Sequence, residues 1–271
     1  MSLTFNPNNH QYRLDGKPVR GVTGLIGAGT PKDTLINWAA EQAGLWAIEH
    51  LTELPHMDPD QAVREMKFAH KAVRDAAALK GTTVHGIAQE IHETGEAVVD
   101  DEHMPFITGY LDFLDVWQIT PVLAERPCAS RTHWYAGTFD LIATSPLICE
   151  GRPVQIDLKT SKRPRSEVAL QTAAYARADF YVDADGTEQQ MPEIAANLVA
   201  HVTPTDRDGE HARYGDAPLG TSLYMVAPDQ DAIDVHFGWF QAAAYTAKTA
   251  RLRDAVIGDP LTPTVALPQA A

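Results

Sequence analysis

The chain has 271 residues, 44% of them hydrophobic, and 22 basic against 36 acidic residues give a formal charge of −14. Its apolar content suffices for a substantial core, and no stretch approaches the roughly 20 consecutive apolar residues of a membrane helix. The opening Met1-Ser2-Leu3-Thr4-Phe5-Asn6 does not read as a secretory signal. Two cysteines, Cys128 and Cys149, are too few for a disulfide framework, a four-cysteine zinc site or a four-cysteine iron–sulphur cluster.

Two buried thiols in a reducing, cytoplasmic compartment are the expectation. The acidic balance argues against a nucleic-acid partner, because phosphate contacts need basic surface. The charge is uneven, however. Residues 152–165 hold five bases (Arg152, Lys159, Lys162, Arg163, Arg165) and one acid (Asp157), a local +4, whereas 183–216 hold eight acids and two arginines, a local −6. A local basic edge can hold a phosphodiester, or it can be a solvated loop.

In chain order, Gln11–Leu14, a turn at Asp15-Gly16 and Val19–Val22 read as a hairpin. Residues 33–50 read as a helix. Two more, near 60–80 and 82–96, are expected to be split by Gly81, and a fourth covers 104–118. The period then changes to two, predicting strands at Val122–Cys128, Trp134–Ala143 and Val154–Lys159. A helix from Glu167 to Tyr181, strands at Asn197–Val202 and Ser222–Val226, and a helix over 232–257 follow. The tail, 259–271, with three prolines and little charge, is expected to be disordered. The order predicts an α/β fold with a central mixed sheet flanked by helices and an N-terminal helical elaboration. Residues 1–258 are read as a single domain, 1–80 forming the hairpin and helical region and 81–258 the core.

The strand Val154–Lys159 alternates without a break, so Gln155, Asp157 and Lys159 share one face. If the strand carrying Asp140 pairs with it, Asp140 and Asp157 can meet. Two close carboxylates repel each other and call for a compensating charge. Mg²⁺ or Mn²⁺ supplies it, since hard divalent ions take oxygen ligands. Such an ion would polarise a phosphoryl group and acidify a water, while Lys159 would steer or deprotonate that water or stabilise developing charge. An ordinary Asp–Lys pair on a hairpin would look the same. Gln171 and Tyr175, four residues apart on one helical face, suit phosphate or sugar contacts, and the tyrosine ring could stack on a base. His85 could complete a carboxylate metal site, with Gln89 and His92 on its helical face. Glu125, one strand before Asp140, is the weakest candidate, its default reading being a surface carboxylate.

Gly81-x-x-x-His85, Gly137-Thr138-Phe139-Asp140, Ile156-Asp157-Leu158-Lys159-Thr160 and Gln171-x-x-x-Tyr175, in that order, resemble the RecB-like branch of the PD-(D/E)XK nuclease superfamily. His10-x-Tyr12-x-x-Asp15-Gly16 with Val22-Thr23, and Asp185-Gly186-Thr187-Glu188 with Met191-Pro192, look like small phage or actinobacterial exonucleases of that branch without the iron–sulphur cluster. The resemblance implies a restriction-endonuclease-like core and a single nuclease domain. It implies metal ligation by His85, Asp140, Asp157 and the Leu158 carbonyl, a catalytic set of Asp140, Asp157 and Lys159, and DNA contacts from Gln171 and Tyr175. It further implies Mg²⁺- or Mn²⁺-dependent hydrolysis of DNA from an end, in phage or bacterial recombination, repair or degradation. The setting would be the bacterial cytoplasm, with a single-strand annealing or recombination protein as a partner besides DNA. Gly27-Ala28-Gly29-Thr30-Pro31-Lys32 lacks the ending of a phosphate loop and reads as a turn before a helix, so no ATP use is expected. Asp183-Ala184-Asp185-Gly186 lacks the later ligands of a calcium loop. The alternatives are a non-catalytic DNA-binding module retaining the fold and a hydrolase of some other phosphoester.

Overall fold

The computed structural model describes residues 3–6 and 11–261; His10 of the first motif and residues 262–271 of the tail lie outside them. Three short strands, β1 (Leu3–Asn6), β2 (Gln11–Leu14) and β3 (Lys17–Val19), form a small antiparallel sheet. The predicted second strand stops at Val19. Val22, Leu25 and Ile26, spaced three and four apart, instead bury one stripe of a helix, α1 (Val22–Gly29). The glycine-rich stretch read as a turn therefore forms the end of α1.

Helix α2 (Asp33–Glu49) has no buried residue, and it packs against α3 (Pro59–Thr94). The expected break at Gly81 is absent, and α3 runs unbroken for 36 residues. Its ends are set by Asp58, which accepts from the Gln61 amide at 3.0 Å, by Pro59, and by left-handed Gly95. A helical glycine costs only about 1 kcal/mol relative to alanine. Here its bare Cα lets the helix approach Thr160, whose Oγ1 would lie 3.1 Å from an added Cβ. Between Ala62 and Lys80 no side chain of α3 is buried, so this half and α2 form an arm outside the core.

Helix α4 (Met104–Val116) leads into the main sheet: β4 (Thr120–Ser130), β5 (Tyr135–Thr144) and β6 (Val154–Lys159). Helix α5 (Val168–Ala176) ends five residues before the predicted Tyr181, and β7 (Phe180–Val182) follows. The cause is Asp179. Its carboxylate accepts from Ser130 Oγ (2.9 Å) and the amides of Arg131 (2.8 Å) and Thr132 (3.0 Å), tying the chain to the edge of β4. A turn at Asp183–Gly186 joins β7 to β8 (Glu188–Gln190), which accounts for the segment that resembled a calcium loop. Then come β9 (Asn197–Val202), β10 (Thr221–Ala227), α6 (Gln230–Lys248) and α7 (Ala250–Asp254). The long final helix expected over 232–257 is thus two helices that meet at Thr249.

The seven strands are ordered β10-β9-β6-β5-β4-β7-β8, with β6–β9 parallel and the other pairs antiparallel, giving a mixed central sheet. One face, with Leu141, Val154, Ile156 and Leu158, packs on the second half of α3 and on α4; the other, with Tyr135, Phe139 and Ile142, packs on α1, α5 and α6. The chain is therefore α/β, as its pattern of periods predicts. No described helix is long and apolar enough to cross a membrane. Both cysteines are free, Cys128 buried and Cys149 half-buried.

Candidate active site

Strands β5 and β6 pair only from Leu141↔Ile156 to Ala143↔Val154. Beyond that they diverge, and Leu158 has no β5 backbone opposite it. Both of its backbone groups are met by side chains instead. Its N–H donates to Asp140 Oδ2 at 2.7 Å, and its carbonyl lies 3.1 Å from His85 Nε2. That contact fixes the hydrogen of His85 on Nε2 and turns Nδ1 toward the carboxylates. Nδ1 lies 3.5 Å from Glu125 Oε1 and 3.7 Å from Asp140 Oδ1. The Leu158 carbonyl, expected as a metal oxygen, is therefore already engaged by His85.

Glu125 reaches this point through an irregular backbone. It sits between the paired residues Ala124 and Arg126 of β4 with φ of 48°, a conformation costly for a residue with a Cβ. The candidate ligand atoms of His85, Glu125 and Asp140 all lie within 4.8 Å of one another. Asp157 is 2% exposed; Oδ2 forms an ion pair with Lys159, and Oδ1 is buried without a hydrogen-bond partner. Alternation along β6 puts it on the face opposite Leu158, as expected.

The electrostatics follow from this crowding. Burial opposes a charged imidazole, but Asp140 and Glu125 outweigh it and push His85 up to about 9. Burial raises Asp157 to about 6, helped by the charge of Asp140 and opposed by Lys159. Burial also raises Asp140, against His85 and Lys159. Burial works to lower Lys159, yet Asp157 and Asp140 keep it above the usual lysine value, so it is an ammonium at neutral pH.

The other predicted residues divide. Gln171 Nε2 approaches Tyr175 Oη at 3.4 Å, so the pair does share a face of α5. Tyr175, however, is 4% exposed, and its ring lies over Gly137, where a Cβ would come within 2.4 Å of Cε1. The ring offers solvent no face on which a base could stack, because α5 is clamped against β5. Gln89 bonds Glu93 and His92 bonds Tyr110, so neither joins the cluster. Tyr12 of β2 does approach it, with its hydroxyl 2.9 Å from Thr138 Oγ1, two residues before Asp140. A cleft of about 920 Å³ is lined by none of Glu125, Asp140 and Asp157; it opens one loop further on, between α2 and residues 161–165.

No model of a known protein family matches the sequence, and no curated protein matches it.

Proposed function

We propose that the chain is a Mg²⁺- or Mn²⁺-dependent deoxyribonuclease with a restriction-endonuclease-like core. The observation that carries this reading is the convergence of His85, Glu125 and Asp140 beside the buried Asp157–Lys159 pair, where β5 and β6 part. The donor set suits a hard divalent ion: carboxylate oxygens and one imidazole. Asp157 Oδ1, buried with no partner, is a costly group in search of a cation.

Asp140 would hold the ion through Oδ1, since Oδ2 is anchored by the Leu158 amide. His85 would use Nδ1 after losing its proton, with Glu125 and Asp157 as further oxygens. Such an ion, held by these residues, would supply polarisation of a phosphodiester and a lowered pKa for a bound water. Lys159, as an ammonium, stabilises negative charge developing on the phosphate rather than taking a proton. Asp157 keeps that ammonium in place. Tyr175, buried over Gly137, positions α5 against β5, and the half-buried Gln171 would offer its amide to a phosphate. Hydrolysis from DNA ends, a place in phage or bacterial recombination or repair, and a cytoplasmic annealing partner rest on the motif order alone.

End-labelled linear DNA and closed circular DNA, each with Mg²⁺, Mn²⁺ or EDTA, test the reading. Metal-dependent loss of linear DNA is expected, with Asp140→Asn, Asp157→Asn, Glu125→Gln and Lys159→Ala each falling by at least about 100-fold. No cleavage of single- or double-stranded DNA with either metal sinks the proposal, and binding without cleavage supports the non-catalytic alternative.

A further inference from the structure

The cleft beyond β6 has features that hydrolysis at the fork does not use. One wall is α2, with Asn37 and Trp38; the other is the loop carrying Lys162, Arg163 and Arg165. Those three cations are exposed, and among the described residues none forms an ion pair or a side-chain hydrogen bond. Other exposed cations, such as Lys17, Lys32 and Arg64, are likewise unpaired, but here three fall within four residues on one wall of the cleft. Glu41 and Asp216 also line the cleft, leaving it a net +1. Trp38 is half-buried, its ring edge-on to His70 of α3 at 6.2 Å, and Tyr224 of β10 is 41% exposed.

The floor of the cleft includes His201, whose backbone pairs with Lys159 in the parallel register. His201 is 1% exposed. Its Nε2 donates to the Ser161 carbonyl at 2.7 Å, leaving Nδ1 as an acceptor that is buried and has no partner. Trp38 packs on α3 through His70 and, with Asn37, also lines the cleft.

We infer that this cleft is a groove for single-stranded DNA, gripping the strand beside the proposed reaction centre through the cations of loop 161–165 and stacking bases on Trp38 and Tyr224. It rests on the nuclease reading for the identity of the polymer. The choice of single over double strand comes from the aromatic side chains, which serve only bases that have left the helix; a duplex offers phosphates and base edges. The arm of α2 and the first half of α3 is then the wall that makes the groove.

Fluorescence anisotropy with a labelled oligothymidylate and with a blunt duplex of the same length, both in EDTA, tests this without cleavage. The single strand is expected to bind at least about tenfold tighter than the duplex. Trp38→Ala should weaken it about 5- to 150-fold, the range for one lost base–aromatic stack, with Trp38→Phe recovering most of the loss. Arg163→Ala, at an exposed residue whose removal leaves the fold intact, should lower the salt slope by about 0.7. Equal affinity for duplex and single strand overturns the inference, and so does wild-type affinity in both Trp38→Ala and Arg163→Ala. Cleavage with Mn²⁺ is scored separately. Cleavage without strand preference removes the groove and leaves the nuclease, whereas single-strand binding without cleavage removes the nuclease and leaves the groove.

Discussion

Gly137 is where the motif leading to Asp140 meets the helix bearing Gln171 and Tyr175, and replacing it with alanine tests that contact. A Cβ there would stand 2.4 Å from Tyr175 Cε1, 3.2 Å from Cζ and 3.3 Å from Cδ1, so the ring must withdraw by about 1.0 Å to reach the 3.4 Å of ordinary contact. The ring is buried and α5 is packed against β5, β6 and α6, so the shift spreads through the helix. Overpacking of this kind costs about 1–3 kcal/mol. A stiffer unfolded chain returns about 0.4–1 kcal/mol. At the middle of those ranges the net loss is about 1.3 kcal/mol, which lowers Tm by roughly 3–5 °C. Gly238→Ala is the control. Gly238 lies in α6, exposed, with nothing within 4 Å of an added Cβ. The same chemical change should there stabilise by about 1 kcal/mol and raise Tm by roughly 2–4 °C. Calorimetry reads both. In a Tyr175→Leu background, which removes Cε1 and Cζ, Gly137→Ala should cost less, with a coupling of about 0.5–3 kcal/mol. An unchanged Tm for Gly137→Ala, or the same cost with and without the Tyr175 ring, refutes the close packing of α5 on β5.

Asp179→Ala should destabilise by about 1 kcal/mol at neutral pH, the low end for hydrogen bonds to an exposed charge. Burial works to raise the Asp179 carboxyl, but the Thr132 amide, the Ser130 and Thr132 hydroxyls and the Arg131 amide outweigh it and hold it below the usual range. Its contribution is therefore full above the ordinary carboxylate value of about 3.9 and is lost as pH falls through the lowered folded value. Urea midpoints of wild type and variant should differ at pH 7 and converge in strong acid; a constant gap contradicts the assignment. A thiol reagent should modify one cysteine in the native chain and two after unfolding, because burial pushes the Cys128 thiol up and Cys149 is only half-buried. Rapid native labelling of both would mean that β4 opens readily.

Five of the main sheet's seven strands, β4, β5, β6, β9 and β10, were legible because the sheet separates two differently packed layers, whereas β7 and β8 were not predicted. Val154, Ile156 and Leu158 face one core while Gln155 and Asp157 turn from it, and that period of two is written plainly in β6. The outer bounds expected for the two helices, near 60 and 96, fall close to the ends of the single helix α3 at Pro59 and Thr94. The misreadings came from residues whose local preference was overruled by a distant partner. Gly81 reads as a break until Thr160 is seen to need the space, and 177–181 reads as helix until Asp179 is seen to hold the turn at the end of β4. In both places the partner is dozens of residues away, beyond the reach of any periodicity.

The site divides in the same way. Asp140, Asp157 and Lys159 could be singled out because strand alternation bears on them, and His85 because an imidazole can complete a carboxylate site, although the helix start expected before it is the middle of α3. Glu125 could not. Regular alternation along β4 says nothing of a residue whose φ is 48°, and only that irregularity turns its carboxylate to within 3.5 Å of His85. A backbone strained at one acidic residue, beside a buried carboxylate left partly unpaired, has a physical rationale if both serve one cation. Without a cation, three carboxylates share Lys159 and one protonated imidazole, and burial raises both aspartates. With the proposed cation, His85 would give up its proton and the repulsion would be relieved. On that proposal the backbone of Glu125 and the electrostatics of Asp157 would share one explanation. Tyr175 points to the opposite lesson: helical spacing located it correctly beside Gln171, but spacing cannot tell a ring that greets a base from one that fills the hollow above a glycine.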